Sequence, residues 1–146
     1  AKNLQNTLFL PPVPKSEMAE VIAGADACLA ILKPLELYKT TYPNKVFDYM
    51  AAGKPVLLAI DGVIRTVVEK AEGGIFVEPG NPRSLADAAQ WVNQHPQQAQ
   101  AMGSRGKAYV SAHFNRQQLA EKFEQVALEL IKMKHPQTPG RTHQDR

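Results

Sequence analysis

Apolar and polar positions along this chain fall into blocks that predict strands and helices in turn. Four short runs are almost wholly apolar, and each is followed by a proline or a charged residue: residues 7–10, 28–32, 55–60 and 75–77. Strands that are apolar on both faces are typical of parallel sheets, which helices cover from both sides. The four runs therefore predict the strands of a parallel sheet.

Between and after these runs, apolar residues recur every three or four positions, which predicts amphipathic helices. Ser16, Asn81 and Asn115 suit helix N-caps, because their side chains accept hydrogen bonds from free backbone N–H groups. A further helix, rich in alanine and glutamine, precedes Asn115. The other predicted helices span residues 16–24, 44–53, 63–71 and 81–95. Helical crossovers of this length between parallel strands favour a right-handed α/β sheet with flanking helices.

Composition narrows the class of protein further. The chain has 146 residues, of which 44% are hydrophobic, so one packed domain is expected. The lone Cys28 cannot form an internal disulfide, and no apolar run approaches the roughly 20 residues of a membrane span. The net charge of +3 is spread along the chain without a basic stripe among aromatics, so no nucleic-acid partner is predicted. The polar residues 134–146 are expected to form a mobile tail.

The sequence predicts neither a metal site nor a catalytic nucleophile. The four histidines, at positions 95, 113, 135 and 143, have no metal-ligand spacing, so no metal and no cofactor are predicted. His95 and His113 lie at predicted helix ends, where capping is the expected role. No Ser-His-Asp or Cys-His set and no Walker-type glycine loop can be assembled. Cys28 and Trp91 are expected in the core.

The loop before Asn44 is the place where the predicted fold would bind an anion, since parallel α/β sheets bind ligands at the carboxyl ends of their strands. The free N–H groups of the following helix and the ammonium of Lys45 suit a phosphate. Asp48, one turn further, can accept hydrogen bonds from sugar hydroxyls. From these residues alone two interpretations remain open. The first is a nucleotide diphosphate site. The second is a surface without a ligand, in which Lys45 and Asp48 form a solvated pair and Asn44 is an ordinary N-cap.

A family resemblance rests on this segment. Residues 42–56, YPNKVFDYMAAGKPV, resemble the conserved segment of GT-B glycosyltransferases of family 4, in the subgroup that acts on bacterial polysaccharides and lipid-linked oligosaccharides. Two further landmarks of that family have counterparts in the same order, at residues 20–26 and 74–82. The resemblance extends from about Asn6 to Val126, and it implies a Rossmann-like, parallel donor-binding domain.

The resemblance also implies roles for single residues. The family has two acidic residues eight positions apart, and the second, which binds the ribose, corresponds to Asp48. The first corresponds to Thr40, which is not an acid, and Glu36 is the alternative if the loop folds differently. Asn44 and Lys45 then lie nearest the diphosphate.

Four further positions complete the implied donor site. The backbone from Tyr42 through Pro43 adds to the diphosphate contacts, Val13 in the proline turn lies near the base, and Gly62 contributes backbone near the donor. For Arg65, one turn after Gly62, a phosphate neighbour and a merely exposed side chain remain equal alternatives.

At the level of the whole protein, the resemblance implies sugar transfer from a nucleotide diphosphate donor with retained configuration and no obligatory metal. The expected acceptor is a polysaccharide or lipid-linked saccharide, and the expected location is cytoplasmic, at the inner membrane face. Residues 1–133 are expected to be the donor-binding C-terminal half of a GT-B fold without its first βα unit and acceptor-binding half. The alternative is a non-catalytic α/β module that binds a nucleotide or a protein and forms homodimers.

Overall fold

The computed structural model describes residues 4–134. The predicted tail therefore lies almost entirely outside the described residues, as do His135 and His143. The chain forms two compact units, one ending at Ser111 and one beginning at Ala112. The first unit contains the sheet and most of the helices, and the second contains the last helix.

Three parallel strands form the sheet of the first unit. They are β1 (Cys28–Ile31), β2 (Val56–Ala59) and β3 (Gly74–Phe76), in the spatial order β1-β2-β3. Every residue of the central strand β2 is buried, because strands flank it on both edges and helices cover its faces. The continuous apolar run at 55–60 predicted this placement, and the predicted parallel α/β class is confirmed.

Helices alternate with these strands and follow them. Within residues 4–134 there are two short 3-10 helices, Lys15–Glu17 and Glu36–Thr40, and six α-helices: α1 Met18–Ala23, α2 Asn44–Ala51, α3 Val63–Lys70, α4 Pro82–Gln94, α5 Pro96–His113 and α6 Arg116–Lys134. Because α2, α3 and α4 each follow a strand, all three begin on the side of the sheet where the strands end. Three helix N-termini therefore face one edge of the sheet.

One part of the core lies between β2 and the two helices that follow β1 and β2, and another lies between β2 and the helices α4 and α5. Val46 and Met50 of α2 and Ile64 of α3 have no solvent exposure, and neither does Leu58 in the central strand. Gly103 of α5 packs so closely on the turn after α2 that a Cβ there would overlap the carbonyl oxygen of Gly53. This packing fixes the carboxyl end of α2 in the first unit.

The strand predicted at residues 7–10 is wrong, since these residues form no strand. Leu8, Phe9 and Leu10 are almost wholly exposed, at 83%, 95% and 76%. A strand needs a hydrogen-bonded neighbour, and among residues 4–134 none pairs with this segment. The N-cap predicted at Ser16 is also wrong, because Ser16 lies inside the 3-10 helix before α1.

Two other helices begin at the N-caps that the sequence predicted. The Asn81 side chain accepts a hydrogen bond from the Ser84 N–H at 3.1 Å, and Asn115 accepts from the Gln117 N–H at 3.0 Å. Both predicted N-caps are confirmed. Within the described residues, no helix is long and apolar enough to cross a membrane.

Candidate functional site

The N-terminus of α2 is uncapped. Its N-cap residue is Pro43, with φ −67° and ψ 120°, and no side chain in the described range makes a capping hydrogen bond there. The Val46 N–H donates to the Pro43 carbonyl at 3.0 Å, which leaves the N–H groups of Asn44 and Lys45 without an acceptor in the helix. Asn44 is the first helical residue, so its reading as an ordinary N-cap is wrong.

Lys45 brings a cation to the same place. Its Nζ donates to the carbonyl oxygen of Ile31 at 3.4 Å, and Ile31 is the last residue of β1. The half-buried Lys45 side chain therefore lies across the carboxyl end of β1, beside the free N–H groups. The positive end of the helix dipole and the ammonium of Lys45 therefore lie at the same place, and both favour an anion.

Asp48 lies one helical turn beyond Asn44 with an exposed side chain. Across residues 4–134 no ion pair joins it to Lys45, whose ammonium donates to Ile31 instead. An exposed carboxylate without a cation partner offers all its acceptor positions to donors such as hydroxyl groups.

The residues just before α2 have different environments. Tyr42 is 52% exposed, and its ring lies 6.3 Å from that of Phe47 between centroids. Thr40 ends the 3-10 helix, and its hydroxyl donates to the Leu37 carbonyl at 3.1 Å. The hydroxyl proton is therefore used in a hydrogen bond within its own turn, while the hydroxyl oxygen can still accept a hydrogen bond.

Gly62 joins the start of α3 to the loop that contains Thr40. Its φ of 101° is in the left-handed region that favours glycine, and a Cβ there would overlap the carbonyl oxygen of Lys39. The Gly62 N–H donates to Asp61 Oδ1 at 2.9 Å, and this hydrogen bond, together with Arg65, lowers the pKa of the Asp61 carboxyl. Only glycine allows so close an approach of the two backbones.

An open cleft of about 520 Å³ lies next to this contact, at the carboxyl ends of the strands. None of the eight site residues predicted from the sequence lines it, although Lys39 and Asp61 are chain neighbours of Thr40 and Gly62. Its charged lining consists of Lys33, Glu36, Lys39, Asp61, Arg65 and Glu78. The cleft is thus balanced in charge, with three cations and three carboxylates.

Internal partners occupy several of these charges. The Arg65 guanidinium lies 3.8 Å over the Phe76 ring centroid, and its Nε donates to Glu69 at 2.7 Å. Lys39 pairs with Glu36 at 2.8 Å. Arg65 is therefore neither free nor merely exposed. Sequence reasoning missed Lys39 and Phe76, although Phe76 ends β3 and so had to lie at this edge.

The remaining candidate residues lie elsewhere. Val13 is half-buried in the irregular segment before α1. Cys28 is buried in β1, and burial raises the pKa of its thiol, which agrees with the predicted core role. The half-buried Trp91 packs on the core and stacks on His95, whose Nδ1 lies 2.9 Å from the Trp91 carbonyl at the end of α4. Among residues 4–134 no cluster of potential ligands could hold a metal ion.

These features define the class of the molecule: a parallel α/β domain with an uncapped helix start at the carboxyl edge of its sheet. Residues 2–125 match the family described as glycosyl transferase-like, and the chain belongs to that family.

Two curated glycosyltransferases are similar in sequence. The chain is 32% identical over 84 residues to D-inositol 3-phosphate glycosyltransferase from Nocardioides sp., an alignment with 58% of this chain and 17% of that protein. It is 27% identical over 109 residues to D-rhamnosyltransferase WbpZ from Pseudomonas aeruginosa, with 74% of this chain and 28% of that protein. The chain therefore spans less than a third of the length of either relative.

A solved structure supports the GT-B assignment of the fold. Sucrose-phosphate synthase from Thermosynechococcus elongatus superposes with a TM-score of 0.76 and 25% sequence identity, over 86% of this chain and 30% of that one. The predicted family and fold are confirmed.

Proposed function

We propose that this chain binds the nucleoside diphosphate part of a sugar donor at the N-terminus of α2, and that it is the donor-binding part of a glycosyltransferase. One observation carries the proposal: α2 begins without a cap, and Lys45 lies across the end of β1 beside two free N–H groups. A helix start left open in this way suits a phosphate.

The chemistry of transfer follows from the same groups. When the glycosidic bond of a nucleotide sugar breaks, negative charge develops on the diphosphate leaving group. Fixed N–H groups and an ammonium stabilise that charge more in the transition state than in the ground state, which speeds the reaction. Lys45 and the start of α2 are the proposed source of this stabilisation.

Asp48 is the proposed ribose-binding residue. A carboxylate accepts hydrogen bonds from two neighbouring hydroxyls, and Asp48 is exposed one turn from the proposed phosphate position. Thr40, Tyr42, Pro43, Val13 and Gly62 remain proposed donor contacts. Gly62 has the best structural support among them, since it packs against the loop that carries Thr40.

The acceptor and the configuration of the product are the finer parts of the proposal. We propose a saccharide acceptor, free or lipid-linked, on the resemblance of residues 42–56 to the family segment. The names of the relatives give inositol 3-phosphate for one of them and rhamnose as the sugar that another transfers. We propose transfer with retention, at the cytoplasmic face of a membrane, with the acceptor held outside the residues of this chain.

Calorimetric titration with UDP and with GDP tests the donor site. We expect saturable binding of one of them, weakened in Asp48→Ala by more than about 1 kcal/mol, or about fivefold in Kd, which is the scale of a charged hydrogen bond. Asp87→Ala removes another exposed carboxylate, on α4, and should leave Kd unchanged. Binding that both variants weaken equally, or no binding at all, would contradict the proposal.

A further inference from the structure

A backbone contact at the carboxyl edge of the sheet joins the start of α3 to the loop that leads into α2. A Cβ at Gly62 would overlap the carbonyl oxygen of Lys39, and it would lie 2.5 Å from the Cα and 2.6 Å from the carbonyl carbon of that residue. Lys39 belongs to the 3-10 helix Glu36–Thr40, shortly before Asn44, the first residue of α2. The contact therefore lies close in the chain to the proposed phosphate-binding groups.

The loop, and not α3, would yield to a side chain at Gly62. No residue of the 3-10 helix Glu36–Thr40 is buried. α3 is held more firmly, because Ile64 has no solvent exposure and the Arg65 guanidinium lies 3.8 Å over the ring centroid of Phe76. A displacement forced by a new side chain is therefore expected in the loop.

The connection from this loop to α2 is short and largely fixed. The Thr41 N–H donates to the Tyr38 carbonyl at 3.2 Å, which closes the turn around Lys39. Thr41 and Pro43 are both extended, with ψ of 139° and 120°, and the proline ring fixes φ at Pro43. Because this connection can absorb little movement, a displacement of Lys39 is expected to reach the first turn of α2.

The hydrogen-bonding groups of Gly62 are used inside the protein. Its N–H donates to Asp61 Oδ1 at 2.9 Å, and its carbonyl oxygen accepts the Arg65 N–H at 3.1 Å. The N–H is the one donor that a glycine has, so a direct hydrogen bond to a phosphate would break the bond to Asp61. The loop offers a route by which Gly62 affects the donor while both of these bonds stay in place.

We infer that Gly62 is a positioning residue for the phosphate site. Because it has no side chain, the loop of residues 36–43 can lie against the start of α3, and the loop in turn sets the position of the N–H groups of Asn44 and Lys45. The inference rests on the proposed function, since it states how the proposed site at the start of α2 is held in place. A methyl group at position 62 should therefore weaken nucleotide binding by moving the site.

Gly62→Ala tests the inference, with Gly80→Ala as the matched control. Both glycines have a positive φ, 101° and 83°, but a Cβ at Gly80 would meet nothing within 4 Å. In calorimetric titration with UDP and with GDP, we expect Kd to rise about fivefold in Gly62→Ala, the scale of one weakened hydrogen bond to a charged group, and less than about twofold in Gly80→Ala. Gly62→Asn keeps the Cβ and tolerates a positive φ better, so it replaces Gly62→Ala if the alanine variant does not fold.

Amide NMR spectra of the ligand-free chain separate positioning from direct contact. In Gly62→Ala the N–H resonances of Asn44 and Lys45 should differ from those of wild type before any nucleotide is added, and in Gly80→Ala they should not. Weaker binding in Gly62→Ala with unchanged resonances would indicate a direct contact and overturn the positioning role, as would a wild-type Kd. A wild-type chain that binds neither nucleotide contradicts the proposed function instead, and the ligand-free resonances then decide whether Gly62 positions the start of α2.

Discussion

Helices α2 and α4 both begin at the carboxyl edge of the sheet, yet their first turns are satisfied differently. At α4, the Asn81 side chain accepts the Ser84 N–H at 3.1 Å, and the first helical residue is a proline, which has no N–H to satisfy. At α2, the proline is the N-cap itself, and two N–H groups remain without a helix acceptor. These bonds leave out one N–H at the start of α4, that of Arg83, whereas α2 leaves two.

α3 also begins without a side-chain cap, at Gly62. What distinguishes α2 is that its open start is combined with the ammonium of Lys45 at the end of β1. A good N-cap stabilises a helix by about 1 kcal/mol, and α2 lacks that stabilisation. The buried face of α2 holds the helix in position instead, since the side chains of Val46 and Met50 are fully enclosed there. Packing thus allows α2 to keep an open end that faces the strand termini.

The largest expected effect comes from the buried face of α2. Met50→Ala removes a fully enclosed side chain and should lower the free energy of unfolding by about 2–5 kcal/mol, the usual range for such a cavity. Urea denaturation measures this loss. Asp48→Ala, on the exposed face of the same helix, should change it by less than about 0.5 kcal/mol. A loss below 1 kcal/mol in Met50→Ala would show that packing does not hold α2 in place.

Closing the open helix start should have the next largest effect. Pro43→Ser gives α2 a capping side chain that competes with a phosphate for the free N–H groups. We expect the Kd for the nucleoside diphosphate to rise about fivefold to tenfold in calorimetry, while thermal stability stays nearly constant because the lost proline restriction offsets the new cap.

The opposite change at α4 is the control. Asn81→Ala should lower stability by about 1 kcal/mol and leave the nucleotide Kd unchanged. If Asn81→Ala weakens binding as much as Pro43→Ser does, the contrast between the two helix starts does not determine the binding site.

The smallest expected effect is a pH dependence at the start of α3. The Gly62 N–H, and after it Arg65, lower the pKa of Asp61, so the folded state binds a proton there less readily than the unfolded chain. This contribution to stability is present above the unfolded pKa and is lost as pH falls through the lower folded pKa. Below about pH 4, wild type should therefore lose stability more steeply than Asp61→Asn in acid titration of unfolding. Parallel curves would contradict this role.

The sequence predicted the elements whose patterns are local. The apolar run that became β2 and the caps at Asn81 and Asn115 are fixed by neighbouring residues, and the structure agrees with each. Residues 7–10 are equally strand-like, but a strand exists only with a pairing partner, and no local pattern reveals whether one is present. The predicted strand there failed for that reason.

In the candidate site, too, some features could be predicted from the local sequence and others could not. The helix start at Asn44 follows from the local pattern, so the position of the predicted anion site could be read from the sequence. The approach of Gly62 to Lys39 and the stacking of Arg65 on Phe76 join residues far apart in the chain. Such contacts depend on how α3 packs against the loop after β1, and periodicity does not encode them.

Amide NMR spectra recorded during titration with UDP or GDP test the central claim most directly. We expect the N–H resonances of Asn44 and Lys45 to shift as the diphosphate binds, while that of Ser84, already bonded to Asn81, stays in place. Shifts at the start of α4 with none at Asn44 and Lys45 would contradict it, because the open end of α2 would then bind nothing.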